Sequence, residues 1–526
     1  MAIAADTAVA GAAPVRYAFA APRSAHLRLL LALISGALLA SAFAPLNLWA
    51  FGVLSPAVLM WLWQDAPPRT AARLGFWFTF ATFAAGTYWL YISVHGFGGA
   101  PVWIAFGLML GLVAIMGLYH AALGYAAARW LPQAGALRWL VALPAAWLLV
   151  EWWRGWFLSG FSWLSLGYSQ TDTWLSGFAP IVGVYGVSAV MLVCAGALTA
   201  LALGTTRVRI GALTTLVVLW AAGAALYQHS WTHPTGPPVS VAVLQGAIPQ
   251  DEKWQESNRA TTLSLYQSLT EKVLGTALIV WPESAPADLA NDLVPYLEHL
   301  YGEAHPRGSA LVLGILRADG DPERPDGLRY YNSVLALDNG VSWYDKRHLV
   351  PFAEFFPVPH FVRSWLRLMS LPYADFTRGG PDQAPLRAAH LQLGTTVCYE
   401  DGYGSYMLKV LPRADALINV TNDAWFGYSS ARYQHFQIAR MRALEAGRYL
   451  VRAANDGVSA VIGPHGEVIA RAPEFRPETL VSQIVPYGGS TPYARVGNYL
   501  VVSLASLALA YGLLVRNDRR WRGRSR

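Results

Sequence analysis

The sequence predicts a two-part chain: a bundle of membrane-spanning helices, then an α/β or α+β layered domain, with one more span behind it. Three observations predict this. Hydrophobic residues make up 54% of the 526 and charged residues only 13%, too apolar for a soluble protein. The apolar excess gathers in runs long enough to cross hydrocarbon, which takes about 20 residues at helical rise. Residues 228–494 instead alternate short β-like runs with turn signals, and hold 22 Lys and Arg against 27 Asp and Glu.

Residues 1–26 are Ala-rich with Arg16 and Arg23, and read as a poorly ordered tail. Seven apolar runs follow within 27–227, near 27–45, 48–64, 72–94, 101–128, 137–157, 177–203 and 209–227. An eighth lies near 496–515, within an anchor placed at 494–515. The first run ends in Ala40-Ser41-Ala42, in the manner of a signal-peptidase site. Nothing in the later spans requires its removal, so an uncleaved span is expected. Arginines cluster at 16, 23 and 28, at 69 and 73, at 129 and 138, at 207 and 209, and six times in the tail 516–526. These clusters occupy every second connection, with Arg154 and Arg495 as exceptions. The positive-inside rule therefore predicts cytoplasmic termini, and the odd number of spans predicts residues 228–493 outside. The net charge of +7 resides in the membrane half and tail, which excludes nucleic-acid binding as its explanation.

Within the middle domain, strands are expected at 239–248, 277–281, 310–316, 331–337, 341–346, 391–397, 416–420, 458–462, 467–471 and 479–485. Asp338-Asn339-Gly340 and Gly463-Pro464-His465-Gly466 read as hairpin turns, and 256–274 and 433–449 as helices. Periodicity carries the fold no further than layered α/β or α+β.

Chemistry concentrates at three strand ends. Leu391–Val397 runs into Cys398, Ala277–Trp281 into Pro282 and Glu283, and the run 341–346 ends on Lys346. A thiol on a sharp turn presents its sulfur to a carbonyl, with the next N–H available to the oxyanion. A carboxylate with a raised pKa would accept its proton, and an ammonium would steady the negative charge. Taken singly, each has a plain reading: a buried small cysteine, and a surface ion pair. Cys194, in an apolar run, reads as packing only, and no disulfide is expected.

Glu–Lys–Cys in this order, at WPES, YDKRHLVPF and TTVCYED, resembles the nitrilase superfamily. The longer KRHLVPFAEFFP, the Tyr-Glu after the cysteine and the spans narrow the resemblance to the apolipoprotein N-acyltransferase family. The resemblance implies an α-β-β-α sandwich, with Cys398 as nucleophile, Glu283 as proton acceptor and Lys346, with the Tyr399 N–H, as oxyanion stabiliser. It implies a monomeric enzyme of the bacterial inner membrane with a periplasmic catalytic domain. The implied reaction is ping-pong: an acyl chain passes from a phospholipid, phosphatidylethanolamine in the family, to a thioester on Cys398. The α-amino group of a diacylglyceryl-modified N-terminal cysteine on an apolipoprotein then takes it. No cofactor and no metal are expected, since the histidines show no ligand spacing.

Further residues carry paired readings. Glu354 matches the family's second glutamate and is expected to hold Lys346 or aid proton transfer, although Ala353 stands where Gly is typical. Tyr399 and Glu400 shape the pocket, or Glu400 caps a turn. Trp254 matches an aromatic near the substrate, or is a core tryptophan. The stretch 352–376, with Trp365 and Leu366 between Arg363 and Arg367, reads as an amphipathic element dipping into the bilayer interface. Its plain reading is a subunit contact or core insertion. Trp425, after Asn422-Asp423, adds a second aromatic edge. Glu151 and Arg154, at i,i+3, are expected to pair with each other; a lipid-headgroup contact is the sharper alternative. The aromatic loop 163–170 is expected beneath the catalytic domain. Two rivals are a membrane-anchored amidase using water as acceptor and a receptor with an inactive nitrilase-like domain. The apolar 352–376 stretch speaks against the first, the intact triad against the second.

Overall fold

The computed structural model describes residues 21–322, 327–351, 353–355 and 376–524. Helices form at each predicted apolar run: α1 (Ala25–Ala40), α2 (Phe51–Leu62), α3 (Pro68–Gly86), α4 (Val102–Trp130), α5 (Leu143–Arg154), α6 (Ala179–Leu203), α7 (Thr206–Tyr227) and, after the middle domain, α11 (Tyr499–Arg524). Ser24 caps α1 by accepting from the Leu27 N–H at 3.3 Å. Among the described residues, three helical stretches are long and apolar enough to cross a membrane: Val102–Trp130, Trp174–Leu203 and Thr206–Tyr227. The runs Ala25–Ala40, Phe51–Leu62 and Tyr499–Val515 are apolar but shorter. Close backbone approach binds the helices together. A Cβ at Gly36 of α1 would fall 2.0 Å from the Phe78 carbonyl oxygen of α3, so only glycine fits there. Aliphatic side chains such as Leu30, Leu118, Leu213 and Val217 point outward and exposed. Such a surface needs apolar surroundings.

The middle domain is two six-stranded sheets face to face. One runs β13-β2-β3-β4-β5-β6, with β2 (Val239–Gln245), β3 (Leu278–Val280), β4 (Ala310–Gly320), β5 (Leu328–Leu337), β6 (Val341–Asp345) and β13 (Glu478–Ile484). The other runs β12-β11-β10-β9-β8-β7, with β7 (Leu386–Ala388), β8 (Leu391–Val397), β9 (Ala416–Thr421), β10 (Leu450–Ala454), β11 (Ala460–Ile462) and β12 (Val468–Arg471). β1 (Thr232–Pro234) and β14 (Tyr487–Gly489) pair at the neck of the domain. All ten predicted strands are present, their ends shifted by a few residues.

Alternation along the strands builds the layers. Val241 and Val243 of β2 face Val420, Val451 and Val461 of the opposite sheet, while Ala242 and Leu244 face outward into a second core. α8 (Arg259–Glu271) and α9 (Val294–Ala304) close that outer core with Tyr266, Leu269, Leu297 and Leu300. Behind the other sheet, α10 (Ala431–Ala446) packs Phe436, Ala439 and Ala443 against Leu417, Leu450 and Ile462. Strands buried on both faces, with helices outside each sheet, make an α-β-β-α sandwich. The opposite side of α10, through Ile438, Met441 and Leu444, joins the core of the N-terminal helices.

Candidate active site

The three strand ends converge at the seam between the sheets. After β3 the chain continues the ladder through Trp281 N–H to Val312 O at 2.8 Å, then crosses β4 at Gly314. A Cβ at Gly314 would lie 2.3 Å from the Pro282 oxygen, so glycine lets the Glu283 backbone pass. Glu283 Oε1 accepts from Asn332 Nδ2 at 2.7 Å and from Lys346 Nζ at 3.4 Å, and Oε2 accepts from the Asn422 N–H at 2.9 Å. Lys346 is anchored at its main chain, N–H to Asn332 O at 2.8 Å, and donates from Nζ to Glu354 Oε1 at 2.9 Å. Glu354 is itself fixed by the Val350 N–H at 2.8 Å. It thus holds Lys346 in place.

Cys398 follows β8 directly, with φ +51°, in the left-handed region that a cysteine rarely adopts. The short 3₁₀ turn Cys398–Gly402 is gripped by Glu400, which is fully buried. Its Oε2 accepts from the Val397 N–H at 2.8 Å and the Tyr344 hydroxyl at 2.9 Å; its Oε1 accepts from the N–H groups of Arg347 at 2.6 Å and His348 at 3.0 Å. One carboxylate therefore ties the cysteine turn to the lysine turn. Of the two readings of Glu400, the turn cap is the one its bonds describe.

Burial pushes the Cys398 thiol well above its ordinary range, and the Glu283 charge adds to this while Lys346 opposes it. Burial alone would also raise Glu283, but the Lys346 ammonium, the Asn332 amide, Lys253 and the Asn422 N–H together hold it below the usual carboxylate range. This corrects the expectation of a raised Glu283. Two cations and two neutral donors outweigh desolvation there. Burial lowers Lys346, yet Glu354 and Glu283 more than restore it, so it stays charged. The candidate base is thus ionised and the thiol protonated at neutral pH.

Trp254 is half exposed, which removes the core-tryptophan reading, and lines a shallow groove with Arg259 and Asp288. Trp425, 37% exposed, is held through its carbonyl by the Ser93 hydroxyl at 2.7 Å. Trp365 and Leu366 lie outside the described residues, as does nearly all of 352–376. The floor of the site comes from the helical half. The Trp163 ring stacks on Tyr399 with centroids 6.1 Å apart, and Trp89 meets Phe426 edge-on at 4.9 Å. The Tyr403 hydroxyl donates to the Gly160 carbonyl at 2.9 Å, and the Tyr168 hydroxyl to that of Gly402 at 3.2 Å.

Glu151 and Arg154 correct another expectation, since no hydrogen bond joins them. Arg154 donates to the carbonyls of Phe161 at 2.6 Å and Trp163 at 2.8 Å, and Glu151 accepts from the Leu166 N–H at 3.2 Å and from the Ser188 hydroxyl. Both are spent on shaping the 157–170 loop, whose backbone groups need buried partners.

Sequence reasoning missed four groups here. Asn332 donates to both Glu283 and Glu354, and Lys253 is buried with Nζ on the Glu283 carbonyl at 3.1 Å. Burial, partly opposed by Glu283, Asp456 and Cys398, brings Lys253 down to about 8. His435 and Asn419 both reach the Cys398 carbonyl, at 3.2 and 3.3 Å. The available signals were weak: an Asn in a strand, a Lys two residues from the turn at Asp251, and a His on a polar helix.

Two facing sheets with helices outside, and Glu, Lys and Cys side chains at the seam, define a carbon–nitrogen hydrolase fold. Residues 240–493 match the family model "Carbon-nitrogen hydrolase", and residues 35–197 match "Apolipoprotein N-acyltransferase N-terminal domain". The apolipoprotein N-acyltransferase of Methylococcus capsulatus is 40% identical, covering 91% of this chain and 94% of its own length. That of Chromobacterium violaceum is 40% identical over 97% of this chain and 98% of its own. A solved carbon–nitrogen hydrolase from Helicobacter pylori G27 is 18% identical with TM-score 0.34, covering 53% of this chain and 94% of that one. The chain belongs to the apolipoprotein N-acyltransferase family and is an acyltransferase. Its apolar helices and its family together fit an inner-membrane protein.

Proposed function

We propose that this enzyme takes an acyl chain from a phospholipid onto Cys398 and passes it to the α-amino group of the diacylglyceryl-cysteine at the N-terminus of an apolipoprotein. The names of its relatives support the acceptor. The observation that carries the reading is a strained cysteine with Glu283 and Lys346 in electrostatic reach, at a seam floored by the aromatic loops of the helical half. Phosphatidylethanolamine is the donor proposed.

In the first half-reaction Glu283 accepts the Sγ proton as sulfur attacks the ester carbonyl. With the base held low and the thiol high, a free thiolate is disfavoured, so proton transfer accompanies C–S bond formation. Lys346 Nζ and the Tyr399 N–H receive the developing oxyanion. Collapse breaks the ester C–O bond, and the proton on Glu283 leaves with the lysophospholipid alkoxide. In the second half-reaction the neutral amine attacks the thioester, gives its proton to Glu283, and collapse expels the sulfur, which regains that proton. Product is an amide, and the enzyme returns unchanged.

Incubating the purified protein with phosphatidylethanolamine should add one acyl mass to the Cys398 peptide, removable by hydroxylamine. Label that persists in Cys398→Ala would refute the assignment. The sandwich faces the periplasm with both termini cytoplasmic, in a monomer built as 27–227 in seven spans, 228–493 catalytic and 494–515 as anchor. A reporter active only in the cytoplasm, fused after Pro237, should be silent, and activity there would overturn this topology.

A further inference from the structure

The peptide unit joining Cys398 to Tyr399 is gripped from behind. Its carbonyl oxygen accepts from Asn419 Nδ2 of β9 at 3.3 Å and faces His435 Nε2 of α10 at 3.2 Å. His435 is fully buried, and its other contacts fix which way it points. Nε2 also lies 3.0 Å from Asp401 Oδ1, and Nδ1 lies 2.8 Å from Asp423 Oδ1. Arg452 closes the cluster, at 3.3 Å from Asp401 and 2.9 Å from Asp423. Nε2 faces two acceptors, the Asp401 carboxylate and the Cys398 carbonyl, and so carries a hydrogen, while Nδ1 lies between Asp423 Oδ1 and Arg452 Nη2, the latter at 2.9 Å. Burial and Arg452 lower the ring's pKa, but Asp401 and Asp423 raise it to about 9. The Trp163 and Phe426 rings cover it, at 5.5 and 6.2 Å.

A trans peptide is planar, so its N–H points opposite to its C=O. The Cys398–Tyr399 bond is trans, and Tyr399 N–H sits in the first turn of the 3₁₀ segment, where a helix leaves its N–H groups without internal partners. Holding the carbonyl toward α10 therefore aims that N–H into the seam.

We infer that His435, with Asn419, is a positioning residue that aims the Tyr399 N–H at the oxyanion through the shared peptide plane. A donor on the carbonyl also polarises the same peptide and strengthens its N–H as a donor. The inference rests on the reading of Cys398 as nucleophile. It goes further in tying the polar helix α10 to the chemical step.

The test compares two reactions of one sulfur. Acylation by phospholipid passes through an oxyanion; alkylation by iodoacetamide displaces iodide and does not. In His435→Phe the acylation rate should fall about 10²-fold, the scale of a misplaced or lost oxyanion donor, while alkylation stays within about twofold of wild type. His435→Gln, whose amide reaches the Nε2 position, should recover most of the acylation. Asn419→Ser removes the second donor, along with the Oδ1 acceptor of Arg452, while keeping the His435 ring, and should lower acylation about tenfold, again sparing alkylation. Parallel loss of both reactions in His435→Phe and Asn419→Ser would mean a merely structural role and overturn the inference. So would wild-type acylation in His435→Phe. No thioester in the wild type would refute the nucleophile reading itself, and this inference with it.

Discussion

Helices α8 and α9 cover the β2–β6/β13 sheet with one apolar face and turn the other to water, whereas α10, behind the β7–β12 sheet, has almost no face left over. Along α8 only Thr262, Tyr266, Leu269 and Thr270 are buried; along α10 every residue but Tyr433 and Arg440 is. Yet α10 is the polar one, ARYQHFQIARMRALEA. Several of its polar side chains are buried against partners that the helical half supplies. Gln434 accepts from the Trp163 indole at 2.7 Å, Gln437 from the Ala44 N–H at 3.2 Å, and Glu445 from the Val184 N–H at 2.7 Å and Arg442 at 2.9 Å. The outer layer is held by apolar burial; the inner one adds to its apolar clusters a set of polar contacts that specify a single docking. The candidate site draws Glu283 and Lys346 from the first sheet and Cys398 from the second, so chemistry requires both.

That dependence is sharpest at Glu283. Glu283→Gln keeps the size and the Asn332 contact but removes the base. Thioester formation should fall by about 10²–10⁴-fold, measured by mass spectrometry over time, with the protein still folded and inserted. An unchanged rate would break the link between the two sheets.

Behind Cys398, Arg452→Met leaves Asp401 and Asp423 buried without their guanidinium, with His435 between them and the Thr421 hydroxyl on Asp423. Breaking such a network costs about 3–5 kcal/mol, read as loss of unfolding free energy in detergent. The pH dependence should follow the same cluster. His435 has its ring raised from the ordinary 6.5 to about 9 by Asp401 and Asp423, against burial and Arg452. Its contribution is fully present below about pH 6.5 and is lost as pH rises through about 9. Unfolding temperature should therefore drop across that window in the wild type and less steeply in His435→Gln. In the outer layer, by contrast, Arg259→Met deletes an ion pair with Asp288 whose arginine is 39% exposed, and should cost below about 1 kcal/mol. Equal losses for Arg452→Met and Arg259→Met would erase the difference between the layers.

Much of this was legible because it is local. Apolar run length marks where the helices form, period-two alternation locates ten strands, and the order Glu283, Lys346, Cys398 carries the resemblance that groups three side chains which the fold brings to one seam. β10 was missed because LVRAA carries Arg452 at a central-strand position, which reads against a strand until Asp401, Asn419 and Asp423 are brought to it. α9 was missed in a short stretch broken by Pro295. The reversal of the Glu283 expectation has the same source: Lys346, Asn332, Lys253 and Asn422, which lower it, come from 63, 49, 30 and 139 residues away in sequence.

The sequence by itself determined where the apolar helices and ten of the strands form, because each follows from spacing along one segment, and the three chemical side chains were singled out by the resemblance that their order carries. Tertiary structure alone decided which polar groups meet: Asn332 between two glutamates, His435 and Asn419 on the Cys398 carbonyl, and Glu151 and Arg154 on a loop instead of on each other. A buried charge takes its pKa and its orientation from whatever packs against it, and segments far apart in sequence become neighbours only when the layers close.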